Sequence, residues 1–221
     1  MFGFSQNRQF IPDVFKNYSL YEINYIFLNF YNALNEDDMK IPYKYANKAQ
    51  NLKELFILRI KDLLQESDDI KCFYSKNIIQ AYVNSTSIKL ENKIPKSSLA
   101  KMILSISNDS FLINPQIAFE NFVFDKICKS NPKLKMRFKN NLCIIEDKMA
   151  ILTKFNQNQD KDIQQALRYI SENSFEKFYI VYPRSENFTH YKQIRAFLCE
   201  NNNTLLKLVP YTINNQILRR C

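Results

Sequence analysis

Four basic residues alternate with three apolar residues in the sequence KLKMRFK, positions 133–139. The cations are Lys133, Lys135, Arg137 and Lys139. Because successive side chains of a β-strand point to opposite faces, this spacing predicts a strand with all four charges on one face. Such a face can neutralise backbone phosphates and so bind nucleic acid without reading its sequence. Lysines also protect an exposed sheet edge from aggregation, so both interpretations stay open.

The overall charge favours a polyanionic partner, either DNA or RNA. The chain has 31 Lys and Arg against 22 Asp and Glu, a net charge of +9. Residues 126–154 hold eight cations and two acids, an excess of six positive charges. Tyr179 and Tyr182 follow this region and are either stacking platforms for bases or core residues.

Composition argues against several other chemistries. Gly3 is the only glycine, so the chain has no glycine-rich loop of the kind that cradles phosphates. His190 is the only histidine, which argues against histidine-based catalysis and against a zinc site. We therefore predict no resident metal or other cofactor. Five cysteines without a CxxC pair fit reduced thiols in a cytoplasmic protein: Cys72, Cys128, Cys143, Cys199 and Cys221.

Membrane and export signals are not predicted. The longest apolar runs fall well short of the roughly 20 residues that span a bilayer. The first ten residues, MFGFSQNRQF, lack the basic and apolar regions of a signal peptide.

The N-terminal part has the periodicity of helices. Ser19 and Glu22 have capping-box spacing, and apolar residues recur at helical intervals after them. The pattern predicts helices near 19–34, 52–64 and 76–83, followed by a connector at 84–98. We place the boundary near residue 95, which gives a helical region 1–95 and a second domain 96–221.

The second domain is predicted to be an α/β layer structure with a mixed sheet. Its predicted strands are 102–107, 133–139, two within 142–155, 178–183 and 205–210. Its predicted helices are 115–130, one opened by Asp162, and 188–199.

Five strings in this domain carry a resemblance to a known family. They are AFENFVFDKI (118–127), LCIIEDKMAILTKF (142–155), DIQQALRYISEN (162–173), FYIVYP (178–183) and LKLVP (206–210). Together, residues 99–211 resemble a PD-(D/E)xK, or restriction-endonuclease-like, domain. The resemblance is to the nuclease-like domain at the C-terminus of prokaryotic AAA-type ATPases. It implies that a restriction-endonuclease-like mixed-sheet core follows the helical N-terminal half that the periodicity predicts.

The resemblance also implies where a metal-dependent nuclease site would lie. Such a site needs two carboxylates on a divalent metal and a lysine beside the attacking water. Lys154 aligns with the motif lysine, but Leu152 stands where the glutamate is expected and Cys143 where the aspartate is expected. Glu120 on the preceding helix remains, and the resemblance therefore implies a degenerate core.

Two further acids, Glu146 and Asp147, lie at the predicted turn between the two strands of 142–155. At roughly 3.3 Å per residue they would be at the rim of the sheet, away from Lys154.

Three functional hypotheses follow. The first is a non-catalytic, nuclease-like domain that binds DNA or RNA through the basic strand, while the helical half contacts a protein partner. The second is an active nuclease that uses Mg²⁺ or Mn²⁺ with Glu120, Lys154, and Glu146 or Asp147. The third is a protein-interaction module in which the lysines serve solubility and edge protection.

Overall fold

The chain folds into two compact units, Met1–Asn114 and Pro115–Cys221. A computed structural model describes residues 1–66, 72–139, 141–194 and 204–213. The mixed α/β class predicted from the sequence is confirmed, with a largely helical first unit and a six-stranded mixed sheet in the second. Among the described helices, none has the length and apolarity needed to cross a membrane.

The first unit is built on four helices, and three of them confirm the predicted ones. Ser19 caps the first helix: its hydroxyl accepts from the Glu22 N–H, and the Glu22 carboxylate accepts from the Ser19 N–H at 2.9 Å. The α-helices are α1 Leu20–Leu34, α2 Leu52–Glu66, α3 Phe73–Val83 and α4 Ser98–Ile106. Short 3-10 helices cover Asp13–Phe15, Asp37–Met39 and Tyr43–Tyr45.

Residues 102–107 were predicted as a strand, and this prediction is wrong because residues 102–106 lie in α4 and Ser107 is its C-cap. Short apolar runs fit either a strand or a buried helix, so periodicity alone does not separate the two. This segment packs against α2 and α3, and that packing stabilises the helical conformation. The buried residues of α4 have helical spacing: Leu99, Ala100, Met102, Ile103 and Ile106.

A three-stranded antiparallel sheet, not anticipated from the sequence, completes the first unit. Its strands are β1 Phe2–Ser5, β2 Arg8–Phe10 and β3 Ser110–Ile113, in the order β2-β1-β3. Because β3 pairs with β1, residues 98–113 belong to this unit. The units therefore meet after Asn114 rather than near residue 95.

In the described residues of the second unit, a six-stranded sheet is accompanied by two helices. The three strands at 149–153, 177–183 and 205–211 run parallel, and the other neighbouring strands are antiparallel. The elements are α5 Pro115–Ser130, β4 Met136–Lys139, β5 Leu142–Ile145, β6 Met149–Thr153, α6 Gln159–Glu172, β7 Lys177–Pro183, β8 Lys192–Ile194 and β9 Leu205–Tyr211. The strand order is β4-β5-β6-β7-β9-β8.

The helix predicted at 188–199 is wrong where the structure describes it. Residues 192–194 form β8, whose Lys192 and Ile194 pair with Leu208 and Leu206 of β9. Pairing with a neighbouring strand satisfies the β8 backbone and outweighs the local helical pattern. Residues 195–199 lie outside the described part of the chain.

Among the described residues of this unit, one helix packs on each face of the sheet. On the α6 face, Leu152 and Ile180 pack in a core with Ala166 and Ile170 of α6. On the α5 face, the Phe124 ring of α5 lies 5.1 Å from the Phe138 ring of β4. Strand alternation then assigns every side chain of the sheet to one of these two faces.

The single glycine is required where β1 meets β3. Gly3 has φ +145°, and a Cβ added to it would collide with the carbonyl group of Phe111 on β3. Glycine alone tolerates both this backbone conformation and this close approach.

We expect Gly3→Ala to lower the free energy of unfolding by about 3 kcal/mol, because it adds both backbone strain and a steric clash. Urea unfolding followed by circular dichroism measures the loss. Ser5→Ala, in the same strand, is the matched control and should cost under about 1 kcal/mol. Equal midpoints for the two variants would contradict this role for Gly3.

Candidate functional site

The basic segment is a strand only in its second half. β4 covers Met136–Lys139 at the edge of the sheet, while Lys133 lies in the turn before it. Strand pairing stops at Lys135, whose N–H donates to the Glu146 carboxylate at 2.7 Å. Within β4, Arg137 and Lys139 project on the α6 face, opposite to Phe138. The predicted cationic face is thus split between a turn and an edge strand.

Ion pairs reduce the charge excess that the sequence indicates. Four of the eight cations in 126–154 have acidic partners: Lys129 with Asp125, Arg137 with Asp147, Lys148 with Glu176 and Lys154 with Asp162. Across residues 1–66, 72–139, 141–194 and 204–213, no carboxylate lies within 4.0 Å of the ammonium group of Lys133, Lys135 or Lys139. All three are exposed. Of the four remaining cations, Lys126 lies on α5 with its Nζ 5.6 Å from the centroid of the Phe122 ring, and the other three cluster along one edge of the sheet.

The two turn acids stabilise the β5–β6 turn and lie far from Lys154. Glu146 accepts the Lys135 N–H, and an Asp147 carboxylate oxygen is 2.7 Å from Arg137 Nη2. Leu142 of β5 pairs with Leu152 of β6. Measured from this pair, Glu146 lies four residues towards the β5–β6 turn, and Lys154 lies two residues in the opposite direction. At about 3.3 Å per residue the separation along the sheet is roughly 20 Å.

Lys154 instead belongs to a buried polar cluster beside α6. Its Nζ donates to Gln165 Oε1 at 2.7 Å and lies 3.4 Å from Asp162 Oδ1. The Tyr182 hydroxyl donates to Asp162 Oδ2 at 2.9 Å. The Asp162 side chain is only 6% exposed and that of Lys154 20%. Burial, together with the Asp162 carboxylate, raises the pKa of Tyr182, so its hydroxyl stays a proton donor.

Sequence reasoning identified Asp162 only as the start of a helix. A stronger signal was present: Asp162 lies four residues before Ala166 and eight before Ile170, on the buried stripe of α6. A carboxylate on an apolar stripe requires a partner, because an unpaired buried charge is very costly. What the pattern could not identify was the partner, since Lys154 comes from a different element.

Glu120 lies on the opposite side of the sheet. It projects from α5, where Gln116 donates to it. Gln116 also donates from Nε2 to the Thr153 carbonyl at 3.1 Å and accepts from the Phe155 N–H at 2.7 Å. These bonds attach α5 to the backbone on both sides of Lys154, whereas the Lys154 ammonium group lies against α6. The structure does not bring Glu120 and the Lys154 ammonium group together.

The positions that the resemblance assigns to metal ligands do not fit a divalent cation. Leu152 and Cys143 are both fully buried in the sheet. Burial raises the pKa of the Cys143 thiol to about 11, which keeps it protonated. Within the described residues, no group of three or more His, Cys, Asp or Glu side chains could hold a metal ion. A hard cation prefers several oxygen ligands, and this arrangement does not supply them.

The remaining candidates divide between surface and core. Tyr182 is fully buried and so cannot stack on a base, whereas Tyr179 is half-buried. His190 is exposed, with Nδ1 2.8 Å from the Thr189 hydroxyl. The three cysteines within the described residues, Cys72, Cys128 and Cys143, are free thiols. Cys199 and Cys221 lie outside the described residues.

The first unit contains a cavity of about 550 Å³ that sequence reasoning missed. Ile57 and Ile103 contribute apolar walls, and the Lys53–Asp109 ion pair, with a 2.5 Å contact, contributes charge. Its lining comes from α2, from α3 with the connector after it, and from α4 with the loop after it, and these segments are far apart in sequence. No local pattern could therefore have indicated it.

The Asp162 cluster predicts a specific stability effect. We expect Asp162→Asn to lower the free energy of unfolding by about 2 kcal/mol, because it leaves the Lys154 ammonium group without its charge partner. Asp160→Asn, an exposed acid in the same helical turn, should cost under about 1 kcal/mol. Denaturant unfolding measures both. Adding Lys154→Met to Asp162→Asn should recover part of the loss, and simple addition of the two effects would contradict the pairing.

Glu120 predicts a pH effect of defined sign. Burial raises the pKa of Glu120 above its ordinary value of about 4.5, so the folded chain keeps this proton to higher pH than the unfolded chain. Ionisation of Glu120 therefore costs folding stability as the pH rises above about 4.5. We expect Glu120→Gln to melt higher than the parent at pH 7, with the difference disappearing near pH 4. A difference of equal size at both pH values would show that the substitution acts through packing instead.

The comparisons with known proteins found no match for this chain. No family model matches the chain, and neither a curated protein nor a solved structure matches it. The resemblance to PD-(D/E)xK domains therefore rests on the residues and element order of this chain alone. The plain conclusion is a two-unit α/β protein whose second unit presents a basic sheet edge and a buried lysine–aspartate cluster.

Proposed function

We propose that the second unit is a non-catalytic, nuclease-like module that binds the backbone of nucleic acid through its basic edge. We define the basic edge as Lys133, Lys135, Arg137 and Lys139. Binding of this kind needs exposed cations near one another, with few competing carboxylates. It does not need a catalytic metal.

The observation that supports the proposal is the position of three unneutralised lysines at the β4 edge. Lys133, Lys135 and Lys139 are exposed on or directly beside an edge strand, and no described carboxylate lies within 4.0 Å of them. Arg137 is engaged by Asp147, but both side chains are well exposed, at 65% and 77%. Exposed pairs of this type are worth little, so a phosphate can displace the carboxylate.

The geometry around Lys154 supports the non-catalytic part of the proposal. A catalytic lysine must present its ammonium group to the attacking water. Here that group is bonded to Gln165 and lies beside the buried Asp162 carboxylate. Glu120, Glu146 and Asp147 are engaged by other groups of the unit, and none of them lies within 4.0 Å of the Lys154 ammonium group.

The proposal predicts salt-dependent binding carried by the basic edge. We expect the parent protein to bind labelled duplex DNA more weakly at 200 mM than at 50 mM salt. The triple variant Lys133→Gln, Lys135→Gln, Lys139→Gln should flatten the dependence of log affinity on log salt by about 3, since each phosphate contact contributes about 0.9. Mobility shift at several salt concentrations measures the slope.

The matched control removes three exposed lysines of the first unit, Lys16, Lys48 and Lys61, by substitution with Gln. It changes the net charge equally and should leave most of the slope in place. Equal slopes for the two triple variants would mean that binding depends on net charge alone. Absence of any salt-dependent binding would make the basic edge a guard against aggregation. Cleavage in Mn²⁺ that Lys154→Ala abolishes would establish the nuclease instead.

A further inference from the structure

We infer that the opposite edge of the sheet carries a stacking platform for unpaired bases, formed by Tyr191, Lys207 and Tyr179. This inference rests on the nucleic-acid-binding function proposed above and names its ligand class as single-stranded DNA or RNA. The platform lies on the α5 face of β7, β9 and β8, whereas Arg137 and Lys139 project on the α6 face of β4. It is therefore a second surface and not an extension of the basic edge.

Strand register places the three residues side by side. Lys207 of β9 pairs with Tyr179 of β7 on one side and with Gln193 of β8 on the other. Directly paired residues point to the same face of a sheet, so Tyr179, Lys207 and Gln193 share the α5 face. Tyr191 lies two positions before Gln193 and points to this face as well. The Lys207 Nζ lies 4.8 Å from the centroid of the Tyr191 ring. An aromatic ring and a cation are thus held together on one face.

Exposure distinguishes this surface from the core behind it. The alternate residues of β7, Phe178, Ile180 and Tyr182, are fully buried on the α6 face. On the α5 face of the same strands Tyr179 and Lys207 are half-buried and Lys177 is exposed. Tyr191 is 63% exposed, so most of its surface is accessible to a ligand.

These groups match what a single strand offers. A base presents a π-face to an aromatic ring, and stacking of this kind accepts any sequence. Lys207 holds the Tyr191 ring in place by a cation–π contact, and Lys177 adds a second positive charge on the same face. Paired bases in a duplex are already stacked on each other and cannot reach the ring. The platform should therefore discriminate single strands from duplexes.

The absence of tryptophan from the sequence gives a direct test. In Tyr191→Trp, the introduced indole is the only tryptophan of the chain, and stacking of a base on it quenches its fluorescence. We expect a 15-nucleotide oligo(dT) to quench this fluorescence by half or more, and a blunt-ended duplex to leave it nearly unchanged. The control Phe73→Trp puts a tryptophan at a position that is 75% exposed in the first unit and should not be quenched.

Affinity measurements complete the test. Tyr191→Leu should weaken oligo(dT) binding about tenfold and leave duplex binding unchanged. Lys207→Gln should also weaken it, while Lys192→Gln should not, because Lys192 pairs with Leu208 and projects on the α6 face.

The outcomes separate this inference from the proposed function. Binding of oligo(dT) without quenching in Tyr191→Trp, or parental affinity in Tyr191→Leu, would overturn the platform. Salt-dependent duplex binding through the basic edge would then still stand. A third outcome is that Tyr191→Trp is quenched and Tyr191→Leu binds oligo(dT) more weakly, while the basic-edge triple variant leaves the salt dependence of duplex binding unchanged. This outcome would support the platform and overturn the proposed function. A parent protein that binds no oligo(dT) would overturn the platform outright.

Discussion

The sheet of the second unit, which separates helix α5 from helix α6, limits which side chains on these two helices can meet. α5 carries Glu120 on one side and α6 carries Asp162 on the other, with β6 running between them. Lys154 directly follows the last residue of β6, and its ammonium group lies on the α6 side. Burial of Asp162 is tolerated because Lys154 and Tyr182 satisfy its two oxygens. The same interaction occupies the lysine that a nuclease site would need free.

The two edges of the sheet differ in chemistry as well as position. The β4 edge carries lysines in a turn and on a short strand, which suits contact with phosphates. The β8 edge carries an exposed ring fixed by a cation. Five strand spacings separate the two edges, about 24 Å. Since they also use opposite faces, a nucleic acid with both paired and unpaired segments could engage the two surfaces without competition between them.

Scarcity of glycine explains why acidic residues lie at the β5–β6 turn. A type I′ turn requires positive φ at both central residues, which glycine and asparagine adopt most easily. Here Glu146 and Asp147 adopt φ 50° and 56°, and Gln6 and Asn7 do the same in the β1–β2 turn. Such conformations cost about 1 kcal/mol per residue. The bonds from Glu146 to Lys135 and from Asp147 to Arg137 offset part of this cost, so these acids have a structural role at the turn.

Elements whose own residues carry a long periodic pattern could be predicted from the amino-acid sequence. α1, α2, α5 and α6 were predicted in this way, and the buried strands β7 and β9 also stood out as apolar runs. The secondary structure of short segments depends on their tertiary contacts. A run such as 102–107 fits both the helical and the strand period, and only its packing partners select one of them. Tertiary structure also decided β1, β2 and β8, which are strands because of what they pair with. The pairing of Asp162 with Lys154 was beyond local reasoning for the same reason: a buried charge depends on a partner that only the fold brings near.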